Sequence, residues 1–162
     1  MIAGTSIVVP RTPLPQGITG LPIWELRTGP TDYIVLLSIG LSFQGSSSTV
    51  FAFGFGLGSP AARGINPWPN SITALQDAPH VSLGGLSIAT AWGTPPTAPT
   101  AFLRRETVNI TGGVGLGPVL HSFDGGRIMT PSSSLVLWAI TASAVNYSNA
   151  GTSVETSLEI AQ

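Results

Sequence analysis

Few side chains in this sequence have the chemistry to ligate, titrate or attack. Two histidines, His80 and His121, and seven carboxylates make up the acid–base inventory, and there is no cysteine. His121 and Asp124 could offer two ligands to a metal and His80 a third, but a site needs three or four converging ligands with partners behind them. Metal-binding jelly rolls of the cupin type cluster their histidines on one strand, which two separated histidines do not do. No metal and no cofactor are expected. Glycoside hydrolysis needs two carboxylates across one cleft. Glu155 and Glu159 share one face of one strand, roughly 13 Å apart by strand rise, beyond either working spacing. Glu25, Asp32, Asp77, Glu106 and Asp124 fall in turns or at outward strand positions and read as solvated charge. Serines are plentiful, yet no Gly-x-Ser-x-Gly elbow presents one as a nucleophile. The chain is not expected to be an enzyme.

The remaining polar motifs point to binding or to nothing. Gly54, Gly56 and Gly58, and the cluster from Gly112 to Gly117, lack the following helix N-terminus that would cradle a phosphate. They read as strand and turn glycines. In Arg104-Arg105-Glu106, alternation on a strand puts Arg104 and Glu106 on one side and Arg105 on the other. That pattern gives an in-strand ion pair or a pair between subunits. Trp68 and Trp92 lie in Pro-rich loops, where an indole can stack on a sugar ring or cap a core or interface. Asn109 and Asn146 match the glycosylation sequon, which matters only in an exported protein.

Charge explains why binding to polyanions is not expected. Charged residues are 8% of 162, lysine is absent, and the formal net charge is −1, against about 25% charged in ordinary soluble domains. Such a chain has no basic field for nucleic acid and little charge to prevent self-association. No run approaches the roughly 20 apolar residues of a spanning helix. Residues 1–10 lack the basic and apolar regions of a signal peptide. Phe51 to Leu57 alternates as a barrel strand does, but 14 prolines and the lack of paired aromatic girdles oppose a membrane barrel.

These residues must be positioned by strands. The clearest is Ser134 to Val145, apolar on both alternating faces, with Leu135, Leu137 and Ala139 opposing Val136, Trp138 and Ile140. Both of its faces should be covered. Residues 1–20, with Pro10, Pro13 and Pro15, are expected to form an extended arm whose Ile7, Val8 and Val9 dock on a neighbour. Residues 21–162 are expected to form one domain. Trp24 and Leu26 point inward and Glu25 and Arg27 outward. Tyr33, Val35, Leu37, Ile39, Leu41 and Phe43 should form one face of a long strand, paired as a hairpin with Phe51 to Leu57. Asn70 is placed to cap one short helix over 71–76. Strands are expected over 80–90, with a kink at Gly84-Gly85, then 102–110 and 118–122. A turn at Asp124-Gly125-Gly126 follows. The last strand buries Val154, Thr156, Leu158 and Ile160 and exposes Ser153, Glu155, Ser157 and Glu159. About eight strands and one short helix, with no βαβ unit, predict an all-β protein: a jelly-roll-like antiparallel β-sandwich.

The passage from Phe123 to Trp138 combines a Gly-rich turn, a Pro-Ser turn and a Leu-Val-Leu-Trp strand. It resembles the late-strand region of jelly-roll phage virion proteins of the decoration and head-surface type. The resemblance implies a non-enzymatic structural role at a capsid surface, in a protein made in the host cytoplasm. The partners it implies are copies of the chain itself, as a homotrimer, and a capsid shell protein, with no direct nucleic-acid or membrane contact. The smooth strand face of Gly40, Ser42, Ala52, Gly54 and Gly56, with Ile7, Val8 and Val9, is the expected interface. The alternative is a carbohydrate- or receptor-binding sandwich working through Trp68 or Trp92.

The final strand gives a direct check on register. Leu158→Asp should cost about 3 kcal/mol or more, because it buries an unpaired charge, while Ser157→Asp should be nearly neutral. Urea denaturation of both variants measures the difference, and equal tolerance would refute the register.

Overall fold

Apolar alternation dominates this sequence, and the structure is built from strands accordingly. The computed structural model describes residues 5–13, 21–45, 49–58, 73–75, 86–90, 92, 98–112, 116–140 and 153–161. The first five strands are β1 (Thr5–Pro13), β2 (Leu21–Arg27), β3 (Ile34–Gln44), β4 (Thr49–Leu57) and β5 (Thr73–Leu75). The others are β6 (Ser87–Ala89), β7 (Arg104–Ile110), β8 (Leu116–Met129), β9 (Ser134–Ile140) and β10 (Ser153–Ala161). No helix occurs among the described residues, so none of them forms a helix able to cross a membrane.

The pairing is nested and antiparallel. β1 pairs with β10, β2 with β9, β3 with β8, and β4 with β7. This is one long hairpin, and it rolls up because β3 also pairs with β10 and β4 with β9. The resulting sheets run β5-β1-β10-β3-β8 and β6-β2-β9-β4-β7. Without the short edge strands β5 and β6, this is the strand order of a jelly roll.

Several local expectations give way to this topology. β3 and β4 do not form a hairpin but lie in opposite sheets. Both strands have one large apolar face, and facing those surfaces across a core buries more than setting them side by side. The helix expected over 71–76 is not formed: Thr73–Leu75 is a strand on the edge of β1. Its two β-branched neighbours, Ile72 and Thr73, suit a strand at least as well as a helix. Residues 5–13 do not form a free arm, because β1 lies within the chain's own sheet between β10 and β5. Prolines at 10 and 13 are compatible with this position. The β1–β10 register slips between Val9 and Thr12, and a bulge tolerates a missing donor. Gly84-Gly85 lies outside the described residues.

β3 also differs within its length. Ile34 and Leu36 are buried in its first part, and Ile39, Leu41 and Phe43 in its second, whereas Tyr33 is 62% exposed. The buried parity switches at Leu37. There β10 pairs Glu159 with Ser38 and Ile160 with Leu36, so Leu37 is an extra residue. A bulge of this kind turns the strand's faces over. β8 responds with a larger excursion: Leu36 faces Arg127 while Ser38 faces Ser122. Gly125 and Gly126 take φ values of 76° and 77° there, which glycine adopts without cost. The expected turn is thus an outpouching within one strand.

The core lies between the sheets. Phe43 of one sheet meets Phe51 and Phe53 of the other at centroid distances of 5.6 and 5.5 Å. Trp24 Nε1 donates to Thr156 Oγ1 across the core at 3.0 Å, which satisfies the indole without opening the layer to water. Val154, Thr156, Leu158 and Ile160 are buried, as the final strand's alternation predicts, and Glu155, Ser157 and Glu159 are exposed.

One threonine secures the turn that delivers β9. Thr28 Oγ1 donates to the Thr130 carbonyl at 2.6 Å and accepts from Ser133 N at 3.0 Å. Thr28 N donates to the Ser133 carbonyl at 3.1 Å, and Ser132, at φ 59°, donates from N to the Gly29 carbonyl at 2.9 Å. Thr28→Val keeps the shape but removes the hydroxyl. It should lower stability by about 0.5–1.5 kcal/mol, because the bonds of Thr28 Oγ1 are lost while Ser133 N and the Thr130 carbonyl remain bonded to each other. A shifted urea midpoint with unchanged m-value is the expected readout.

Candidate functional site

The small-residue face of β4 is covered by the chain itself. Ala52 is buried in a second apolar cluster with Val136, Trp138 and Ile140, against which Ala98 and Phe102 pack. A Cβ on Gly54 would lie 2.8 Å from Phe102 Cδ1 and 3.0 Å from the Arg104 carbonyl oxygen. One on Gly56 would lie 2.7 Å from Pro99 Cγ and 3.1 Å from Trp138 Nε1. Leu103 N donates to the Phe55 carbonyl at 2.8 Å, fixing the covering segment to β4. The glycines do mark a close approach, but the approaching chain is residues 98–103.

The other expected interface residues lie on the opposite sheet. Gly40 is backed by the Ser157 side chain, and Ser42 stands opposite Glu155. Beside them Ser38 Oγ donates to Glu159 Oε2 at 3.1 Å, and Leu120, which faces Gly40 on β8, is 64% exposed. Ile7, Val8 and Val9 stand in register with Leu158, Ser157 and Thr156 of β10. The structure therefore separates Gly40 and Ser42 from Ala52, Gly54 and Gly56, which were expected to form one surface. Trp92 is half-buried, with its indole nitrogen shielded and no hydrogen-bond partner among the described residues. Trp68 and His80 lie outside the described residues.

The charged residues form local pairs. Glu25, expected to be solvated, is fully buried, with Oε2 3.0 Å from Arg27 Nε. Arg104 Nε donates to Glu106 Oε1 at 2.8 Å, the in-strand pair that alternation allows. Arg105 faces the other way, its guanidinium 5.4 Å from the centre of the Phe102 ring, where cation–π attraction helps hold the cover on β4.

His121 does not join Asp124 in a ligand set. Its ring is 1% exposed and lies edge-on to Phe53 and Phe55, at centroid distances of 5.8 and 5.3 Å. Nδ1 is 3.3 Å from Glu106 Oε1, a charge contact without hydrogen-bond alignment, and neither ring nitrogen has a hydrogen-bond partner among the described residues. Burial lowers the imidazole pKa from its ordinary 6.5; Glu106 opposes that shift and Arg104 reinforces it. Asp124 is exposed in the β8 excursion. Among the described residues, no three acidic or histidine side chains converge on a metal-sized site.

Several exposed apolar side chains lie at one end of the sandwich, while Leu120 and Val50 are exposed elsewhere. Leu57 and Ile128 are 58% and 66% exposed and line one hollow with Arg127, Met129, Thr130 and Leu135. Leu57 also lines a wider hollow of about 410 Å³ with Pro99, Phe102 and Leu103. Tyr33 precedes Ile34, whose strand partner Met129 borders the first hollow. Sequence alternation placed Leu57 with the buried phenylalanines and Tyr33 with a core face. The Leu37 bulge puts Tyr33 on the outer face, and Leu57 is exposed as the last residue of β4.

Comparison with protein families, curated proteins and solved structures finds no match for this chain.

The covered face generates a prediction. Gly54→Leu should destabilise the isolated chain by about 1–3 kcal/mol, because the side chain must displace Phe102 or the Arg104 backbone. Thermal or urea melts measure it. An unchanged midpoint would show that the 98–103 segment does not rest on β4.

Proposed function

We propose that this chain is a non-enzymatic structural protein of a virus particle, self-associating through the apolar end of its sandwich and joining a capsid surface. The observation that carries this reading is the gathering of exposed Leu57, Leu103 and Ile128 around two hollows that share Leu57. Contiguous exposed apolar surface is a mark of protein–protein contact. The jelly-roll strand order supports the reading, because that architecture recurs in capsid proteins, although it also occurs in lectins and metal-binding cupins. The low charge supports it further, since a chain with 8% charged residues has little electrostatic protection as a free monomer. A sugar-binding role draws no support from Trp92, whose half-buried ring offers no open stacking platform.

Closed rotational symmetry, a trimer in this proposal, would bury the same hollows on every copy. Light scattering of the purified chain should report a defined oligomer. Leu57→Glu combined with Ile128→Glu should shift it to monomer while leaving the melting temperature of the monomer nearly unchanged. Co-sedimentation of the wild-type chain with purified particles tests the capsid half of the reading. A monomer at high concentration that joins no particle would refute it.

A further inference from the structure

His121 occupies an unusual place in this topology. β7 and β8 are the outermost strands of opposite sheets and do not pair with each other. Glu106 of β7 and His121 of β8 meet across that side, with 3.3 Å between Oε1 and Nδ1. We propose that His121 is an acid-sensitive latch: its neutral ring holds the β7 and β8 sides of the sandwich together, and protonation releases them.

The argument rests on what surrounds the ring. A neutral imidazole can lie edge-on between Phe53 and Phe55 as a mostly apolar plate. An imidazolium carries two N–H donors that need acceptors; Nδ1 faces Glu106 Oε1 at 3.3 Å without hydrogen-bond alignment, and Nε2 has no acceptor among the described residues. The facing groups offer little relief. From β7 come Glu106, whose Oε1 already accepts from Arg104 Nε at 2.8 Å, and Arg104 itself, which repels a second cation. From β4 come Phe53 and Phe55, and β3 sets Ile39 opposite His121. On β8, Asp124 is exposed and Arg127 lies beyond the excursion. No described group stands ready to accept from Nε2.

The direction with pH follows. Folded His121 has a pKa below its ordinary 6.5, chiefly through burial. Above about pH 6.5 the folded and opened forms are both neutral, and the closed form keeps its full advantage. As pH falls below that value, the opened form takes up a proton that the closed form resists. The closed form then loses ground until the pH has passed through the folded value. Glu106 softens this response and Arg104 sharpens it.

Native-state hydrogen exchange on the full chain, corrected for intrinsic rates, tests the latch between pH 7.5 and pH 5. Amides of β7 and β8 should lose protection relative to those of β2 and β9, in step with the titration of His121 followed by proton NMR; with two histidines in the chain, the signals are readily assigned. His121→Leu should abolish the pH-dependent loss. Glu106→Gln supplies a second test should the first variant fail to fold: without the carboxylate that favours the imidazolium, the loss should begin at the same pH but become deeper and extend to lower pH. The proposal is overturned if β7 and β8 track β2 and β9 throughout. It is equally overturned if His121→Leu keeps the pH step, or if Glu106→Gln leaves the depth of the loss unchanged or makes it shallower.

Discussion

A strand with large apolar side chains on both faces needs cover on both, and β9 imposes that demand on the whole molecule. Leu135, Leu137 and Ala139 enter the core between the sheets, while Val136, Trp138 and Ile140 are buried on the outer side. The opposing sheet satisfies the first requirement, as in any sandwich. The second cannot be met by a sheet, because the two-layer architecture is already complete. It is met by an irregular segment, residues 98–103, with Phe102 seated over β4 and Pro99 beside Trp138. The glycines of β4 follow from this arrangement, since a side chain at Gly54 or Gly56 would occupy the space that the covering segment needs.

The same economy governs the polar groups. A chain with so few charges cannot surround its sandwich with ions, and those it has are largely committed to local contacts. Glu25 lies against Arg27 and Glu106 against Arg104, while Arg105 rests over Phe102. The open edges of the sheets are limited by other means. β5 and β6 are three residues long, too short to template a partner strand; β7 carries charge, and β8 is interrupted by its excursion. Among the described residues, exposed apolar side chains include Leu57 and Ile128 at one end, and Leu120 and Val50 elsewhere.

His121 is one of the interior polar groups, with the indole nitrogens of Trp92 and Trp138, that have no hydrogen-bond partner among the described residues. Trp24 shows how this fold satisfies a buried donor: Thr156 on the facing sheet accepts it. His121 has no such partner among the described residues and depends on staying neutral. A leucine would pack there without that dependence, so the position carries a sensitivity that the core does not require.

Alternation alone determined much of this protein. The all-β class, the doubly buried strand from Ser134, the half-buried final strand and the Arg104–Glu106 pair were legible because the side-chain period of a strand is local and fixed. The jelly-roll type was legible from strand number and spacing. What alternation cannot report is which strand pairs with which, and the tertiary structure decided that. β3 and β4 looked like a hairpin because hairpins are the default for neighbouring strands, yet rolling the long nested hairpin sends them to opposite sheets. The Leu37 bulge was invisible for a similar reason. One inserted residue changes no local pattern of apolar residues in a run as uniform as Tyr33 to Phe43, and only the partner strand reveals that the faces have exchanged. The smooth face of Gly54 and Gly56 was correctly read as a place of close approach. Its occupant was decided by a segment some fifty residues further along the chain, which no local spacing connects to it. His121 read as a possible ligand from its type alone, and burial between two phenylalanines, a property of the packed sheets, made it a core residue instead.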